Sequence, residues 1–213
     1  MKKTIYDKFD KAKLSQLPKL VFPGRIYVIV SESEAKRAMH YIMSLPLVGI
    51  DTETRPSFSK YRSYKVALLQ VSTENECFLF RLNHLGISAS IKRFLESETI
   101  KVGASLHDDI HMMSAREKFT PRNFVDIQKL VECLGIKDKA LKKLYANLLG
   151  KNISKAQQLS NWEADILTDA QKQYAATDAW ACINLYKEIQ RLIETKDYEL
   201  IITEKPDNEE SIS

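Results

Sequence analysis

Cysteine is scarce in this 213-residue chain, with three residues, Cys77, Cys133 and Cys182, far apart and odd in number. They form neither a C-x-x-C metal knuckle nor a complete disulfide set, which excludes a disulfide scaffold and points to a reducing compartment. No apolar run approaches the ~18 residues of a transmembrane helix. The start, Met1-Lys2-Lys3, is basic, but Asp7, Lys8, Asp10, Lys11 and Lys13 interrupt the stretch where the apolar core of a signal peptide would follow, so the expected location is cytoplasmic, with no membrane partner. Charge of one sign is also lacking: 32 Lys and Arg against 28 Asp and Glu leave a net +4, compatible with a polyanionic partner but no demonstration of one. There is no internal repeat and no low-complexity linker. What is present, 44% hydrophobic and 28% charged residues, is the composition of a globular domain.

The pattern along the chain divides into an N-terminal arm (1–24), a domain (25–204) and a polar, acidic tail (205–213) expected to be disordered. Arg25 to Val30 reads as a strand, followed by a helix with Ser31 or Ser33 as cap and Ala35, Ala38, Met39 and Ile42 at helical spacing. Leu47 to Ile50 reads as a buried strand that turns acidic at Asp51-Thr52-Glu53. Lys65 to Ser72 and Cys77 to Leu82 read as a β-hairpin. Beyond it the periods alternate: helix over 87–96, strand over 99–104, helix over 108–116, a short strand at 124–127, a helix capped by Asp138 and stopped at Gly150, and a long Ala-rich helix opened by Thr168. A hairpin followed by alternating strands and helices makes an α/β domain with a mixed sheet.

Three acidic segments carry the chemistry. Asp51 and Glu53, two apart on a strand, project to one side of the sheet, and two carboxylates on one face repel unless a cation lies between them. Such hard oxygen ligands suit Mg²⁺ or Mn²⁺; taken alone, Asp-x-Glu is more simply accounted for by an acidic strand end facing water. Asp108 and Asp109 open a helix, where an acid is often only a cap. The surrounding His107-Asp108-Asp109-Ile110-His111 places two imidazoles at i and i+4 in the manner of a zinc helix, without the Glu base or a third ligand. Tyr174 and Asp178, four apart on the last helix, share a face beside the small residues Ala175, Ala176 and Ala179.

Together these segments resemble the DEDD superfamily of 3′→5′ exonucleases in its tyrosine-bearing branch. Val48-Gly49-Ile50-Asp51-Thr52-Glu53-Thr54 is similar to its first motif, Lys101 to Asp109 to its second, and Gln173-Tyr174-Ala175-Ala176-Thr177-Asp178-Ala179 to its third. Lys65 to Ser72 and Leu159-Ser160-Asn161-Trp162 also resemble Werner-type exonuclease domains and ribonuclease D. The resemblance covers residues 25–193. It implies a ribonuclease H-like fold, a five-stranded mixed sheet with helices on both faces. It also implies two divalent cations, Mg²⁺ or Mn²⁺, held by Asp51, Glu53, Asp109 and Asp178. These four acids and Tyr174 would be the catalytic set, hydrolysing the terminal phosphodiester at a single-stranded or frayed 3′ end of DNA or RNA and releasing nucleoside monophosphates. Thr52, Thr54, Arg55, His107 and Trp162 are the candidate substrate contacts. Thr54 stands where Werner-type domains commonly carry an aromatic residue, so stacking on the terminal base is expected from elsewhere. Arg55, Lys60, Arg62 and Lys65, interleaved with Phe58, Tyr61 and Tyr64, suit phosphate contact and base stacking, or simply a solvated loop. Lys137, Lys139, Lys142, Lys143, Lys151 and Lys155 offer a second basic face, which a polar helix surface equally explains. The rival from another class is a catalytically silent nucleic-acid-binding module on the same fold.

Overall fold

The computed structural model describes residues 2–203; the expected tail at 205–213 lies outside them. The strands are β1 (Lys3–Tyr6), β2 (Arg25–Ile29), β3 (Leu47–Glu53), β4 (Leu68–Ser72), β5 (Glu76–Arg81), β6 (Ile100–Gly103), β7 (Phe124–Asp126) and β8 (Tyr198–Ile201). The α-helices are α1 (Glu32–Ile42), α2 (Leu82–Leu85), α3 (Ala89–Leu95), α4 (Leu106–Ser114), α5 (Ile127–Leu130), α6 (Leu141–Leu149) and α7 (Asp169–Thr195). Six strands form one mixed sheet in the order β2-β5-β4-β3-β6-β7. The β3-β4-β5 core is antiparallel, while β2, β6 and β7 join parallel. The sheet has one strand more than the five implied by the resemblance, because Phe124–Asp126 pairs with β6.

Alternation along β3 sorts its two faces. Val48 and Ile50 point into a core shared with Met39, Ile42, Ile91 and Phe94 of α1 and α3. Gly49, Asp51 and Glu53 point the other way, towards α7. That helix is opened by a capping box between Thr168 and Gln171, as its sequence predicts, and its 27 residues span about 40 Å. It lies over the sheet at very close range. A Cβ on Gly49 would stand 2.0 Å from the Ala179 carbonyl oxygen, so no side chain fits there. Gly103 does the same for α4, since a Cβ there would meet Leu106 Cδ2 at 2.4 Å.

Several local expectations are displaced by tertiary contacts. The fourth strand begins at Leu68, not Lys65, and the 87–96 segment is helical only over α3. Helix α6 is capped by Ala140, not Asp138: the Asp138 N–H donates to the Asp7 carbonyl (3.2 Å), and its carboxylate pairs with Lys143 (2.7 Å). Residues 2–24, expected as an arm, pack on the body. Ile5, Leu14, Leu20 and Phe22 are buried, β1 pairs in parallel with β8, and the Phe22 N–H donates to the Thr177 hydroxyl (3.1 Å). Among the described residues no helix is long and apolar enough to cross a membrane.

Candidate active site

The close approach at Gly49 sets Asp178, the neighbour of Ala179, over the acidic end of β3. One carboxylate oxygen from each of Asp51, Glu53 and Asp178 lies within 4.8 Å of the others. Asp109 arrives from the opposite side on α4, where the Thr52 hydroxyl donates to its Oδ1. The first turn of α4 is fixed by Asp126 at the end of β7, whose carboxylate accepts the backbone N–H groups of Ser105 (3.2 Å) and Leu106 (3.1 Å). Ser105 itself sits in the left-handed region at φ 61°, a conformation that costs a non-glycine residue energy and is over-represented at functional sites. Asp126 therefore supplies the N-terminal carboxylate that sequence assigned to Asp108 or Asp109 as one possibility. Asp108 is exposed, whereas Asp109 is half-buried and turned inwards.

Burial without counter-charge dominates the electrostatics. Asp51 is held well above the usual carboxylate range, first by burial and then by the charges of Asp109, Asp178 and Glu53. Burial, Asp178 and Asp109 push Glu53 up from 4.5 to about 9. Asp178 rises from 3.8 to about 7 by burial, although the Tyr174 hydroxyl and Lys155 pull it down. Asp109 rises to about 6 by burial, against the opposing Thr52 hydrogen bond. Asp178 Oδ1 is buried without a hydrogen-bond partner. An all-oxygen, like-charged set with an orphaned buried acceptor fits hard divalent cations, which would supply the missing positive charge.

Tyr174 lies one helical turn from Asp178, and burial followed by the charges of Asp178, Glu53 and Asp51 raises its pKa far above the ordinary value. With no cation beside the carboxylates, its hydroxyl is held in the protonated form. Trp162, expected as a substrate contact, is instead fully buried, its ring 5.9 Å from that of Tyr174; no surface is left for a substrate. Two residues that sequence reasoning missed hold the Trp162 segment: Arg81, buried at the end of β5, donates to the carbonyls of Ala164 and Asp165, and Gln171 Nε2 donates to Ser160 Oγ (3.0 Å) and the Asn161 carbonyl (3.1 Å). A lone cation closing an apolar strand was the available signal. Gln70 was missed too. It stands opposite Asp51 in register on the same face, fully buried, with both amide atoms unpartnered.

The other candidates are scattered around this centre. Thr52 gives its hydroxyl to Asp109. Thr54 and Arg55 are half-buried on the strand's exit, and Arg55 forms a loose ion pair with Glu163 at 3.5 Å. His107 and His111 are both exposed and stand outside the acidic cluster, so no zinc-type pair forms with it.

A six-stranded mixed sheet flanked by helices, with four acids brought to the end of its central strand, defines a ribonuclease H-like nuclease of the DEDD type. The fold matches solved structures: the Aedes aegypti Nibbler EXO domain superposes with a TM-score of 0.72 at 18% identity, covering 82% of this chain and 91% of that one. Escherichia coli RNase D gives 0.68 at 18% identity, covering 82% and 51%. In sequence, a 3′-5′ exonuclease of Arabidopsis thaliana is 32% identical over 208 residues, 89% of this chain and 72% of that protein. The bifunctional 3′-5′ exonuclease/ATP-dependent helicase WRN of Mus musculus is 30% identical over 197 residues, 84% of this chain but 14% of that protein. The profile of the 3′-5′ exonuclease family matches residues 27–194, and the chain belongs to that family. It is a 3′-5′ exonuclease, a hydrolase whose acidic cluster fits two-metal catalysis.

Proposed function

We propose that the enzyme takes single-stranded or frayed 3′ ends of DNA or RNA and releases nucleoside monophosphates, with Mg²⁺ or Mn²⁺ held by Asp51, Glu53, Asp178 and Asp109. The observation that carries this reading is the trio of crowded, partly buried carboxylates with its orphaned Asp178 oxygen. Two bound cations would stabilise the attacking and leaving oxygens of the terminal phosphodiester and acidify the attacking water. The chain's own residues do the rest. Asp51 and Glu53 are fixed by strand pairing, and Asp178 by the α7 contact at Gly49. Thr52 orients Asp109. Tyr174, protonated at neutral pH, orients the water without taking its proton, and Trp162 packs against the ring to keep the hydroxyl in place. The test is 5′-labelled single-stranded DNA and RNA incubated with wild type and Asp51→Asn in Mg²⁺, Mn²⁺ or EDTA. Stepwise shortening from the 3′ end that needs the cation and Asp51 is expected. Near-wild-type shortening by Asp51→Asn, or shortening in EDTA, refutes the site, and binding without cleavage by wild type means a silent module.

A further inference from the structure

Beside the site, the loop from Arg55 to Lys65 carries an arrangement that the carboxylate chemistry does not use. The guanidinium carbons of Arg55 and Arg62 each lie 4.8 Å from the centre of the Tyr64 ring, so two cations share one aromatic side chain. Each is attracted to the ring while the two like charges repel, and an anion bound in the cleft they both line would reduce that repulsion. Among the described residues Arg55 has only the loose Glu163 pair, and Arg62 forms no ion pair. The two arginines line a cleft of roughly 420 Å³ with Phe58, Tyr64, Leu159 and Asn161. Phe58 is 88% exposed, Tyr61 100% and Leu159 68%. Single exposed apolar residues need no explanation, but Phe58 and Leu159 both line this cationic cleft, and Tyr61 follows Phe58 in the same loop.

We propose that this cleft is an upstream subsite, which grips the strand on the 5′ side of the terminal nucleotide by seating a phosphate at Arg55 and Arg62 and stacking a base on Phe58. The inference rests on the nucleic-acid reading above and adds to it the place where the rest of the strand is held. Continuity with the catalytic centre supports it. Arg55 is two residues beyond Glu53, and the far wall, Leu159 and Asn161, belongs to the segment that seats Trp162 against Tyr174. A strand whose last phosphodiester lies at the acids can leave along this wall, where positive charge and exposed rings are what a single strand binds. Thr54 offers no ring at the strand's exit, so the loop supplies the aromatic surface instead.

The experiment uses the whole chain, wild type, Arg62→Ala and Phe58→Ala. Affinity for fluorescein-labelled DNA and RNA dodecamers is measured by anisotropy in EDTA at several salt concentrations, and kcat/KM in Mn²⁺ is compared between a dodecamer and a dinucleotide. Arg62→Ala is expected to weaken dodecamer binding and to reduce the salt slope by about 0.7 for one lost phosphate contact. Phe58→Ala should weaken binding roughly five- to a hundred-fold with the slope unchanged, as for a lost stack. In both variants the preference for the dodecamer over the dinucleotide should shrink. Both side chains are exposed, and a thermal melt matching wild type confirms the fold. Wild-type cleavage with wild-type binding and length preference in both variants overturns the subsite and leaves the exonuclease reading intact. Cleft-dependent binding by a wild type that cleaves nothing overturns the exonuclease reading and leaves the subsite standing. If the wild type neither binds nor cleaves, both fall.

Discussion

Replacing Glu53 by Gln should make the metal-free protein more stable, although it removes a residue of the active site. Glu53 is buried among like charges, and its pKa rises from 4.5 to about 9. At pH 7 the folded state therefore holds a proton that the unfolded chain has released, and RT ln 10 for each pH unit between 4.5 and 7 makes this cost about 3 kcal/mol. Gln keeps the shape, needs no proton and avoids the cost. For a chain of this length a gain of about 2–3 kcal/mol raises the melting midpoint by about 5–10 °C. The sign also fixes the pH dependence. The raised pKa adds nothing unfavourable below about pH 4.5, and in EDTA the wild type should lose stability relative to the variant as pH rises from there towards 9. Mn²⁺ should narrow or close this gap at pH 7, because a cation that binds only the folded state adds about 2.7 kcal/mol at a hundred times its Kd, and Glu53→Gln has lost a ligand. Calorimetric melts of both proteins at pH 5, 7 and 9, with EDTA or Mn²⁺, test all of this. A variant no more stable than wild type in EDTA at pH 7 refutes the crowding of carboxylates. An equal Mn²⁺ shift in both refutes Glu53 as a ligand.

Tyr174→Phe should lower kcat by roughly 10² to 10⁴ while leaving the melt and the Mn²⁺ titration close to wild type; single-turnover cleavage at the wild-type rate would make Tyr174 a packing residue. Gly49→Ala should destabilise by about 1–3 kcal/mol, since its methyl meets a backbone oxygen that cannot rotate away, and should also weaken Mn²⁺ stabilisation by shifting Asp178; melts with and without Mn²⁺ that match wild type would contradict the close approach. Asp7 accepts hydrogen bonds from the Thr203 N–H (2.8 Å), the Thr203 hydroxyl (2.6 Å) and Lys137 (2.9 Å), and these hold its pKa far below the ordinary value. Wild type should thus be more stable than Asp7→Asn above about pH 4, the advantage fading as pH falls further; acid titrations of the two that run parallel would refute the pairing.

The acids were legible because residue type and spacing determine where a side chain points once an element is known. Asp51 and Glu53 share a face on any strand, and Tyr174 and Asp178 share one on any helix. What brings α7 down onto β3 was not legible as a cause: Gly49 reads as an unremarkable strand residue until the Ala179 carbonyl is placed against it. Trp162 shows the opposite failure. Its segment was recognised, but its burial depends on Arg81, some eighty positions away, and no local pattern reports such a contact. The pairing of β1 with β8 was invisible for the same reason, two four-residue strands whose partners lie at opposite ends of the domain. Where sequence erred locally, at Asp138, a backbone hydrogen bond to Asp7 holds the residue outside α6 and Lys143 takes the carboxylate that would have capped it.

The wide separation of the acids along the chain has a consequence for biosynthesis. Asp51 and Asp178 are 178 − 51 = 127 residues apart, and they meet only when α7 has docked on the finished sheet. Domains are synthesised from the N-terminus, so β3 with Asp51 and Glu53, and α4 with Asp109, are made before the last acid exists. A nascent chain, or one truncated before α7, presents no complete cluster to the nucleic acid around it. Hydrolytic activity can arise only in a molecule that has finished folding, with no inhibitor or pro-segment required to restrain it beforehand.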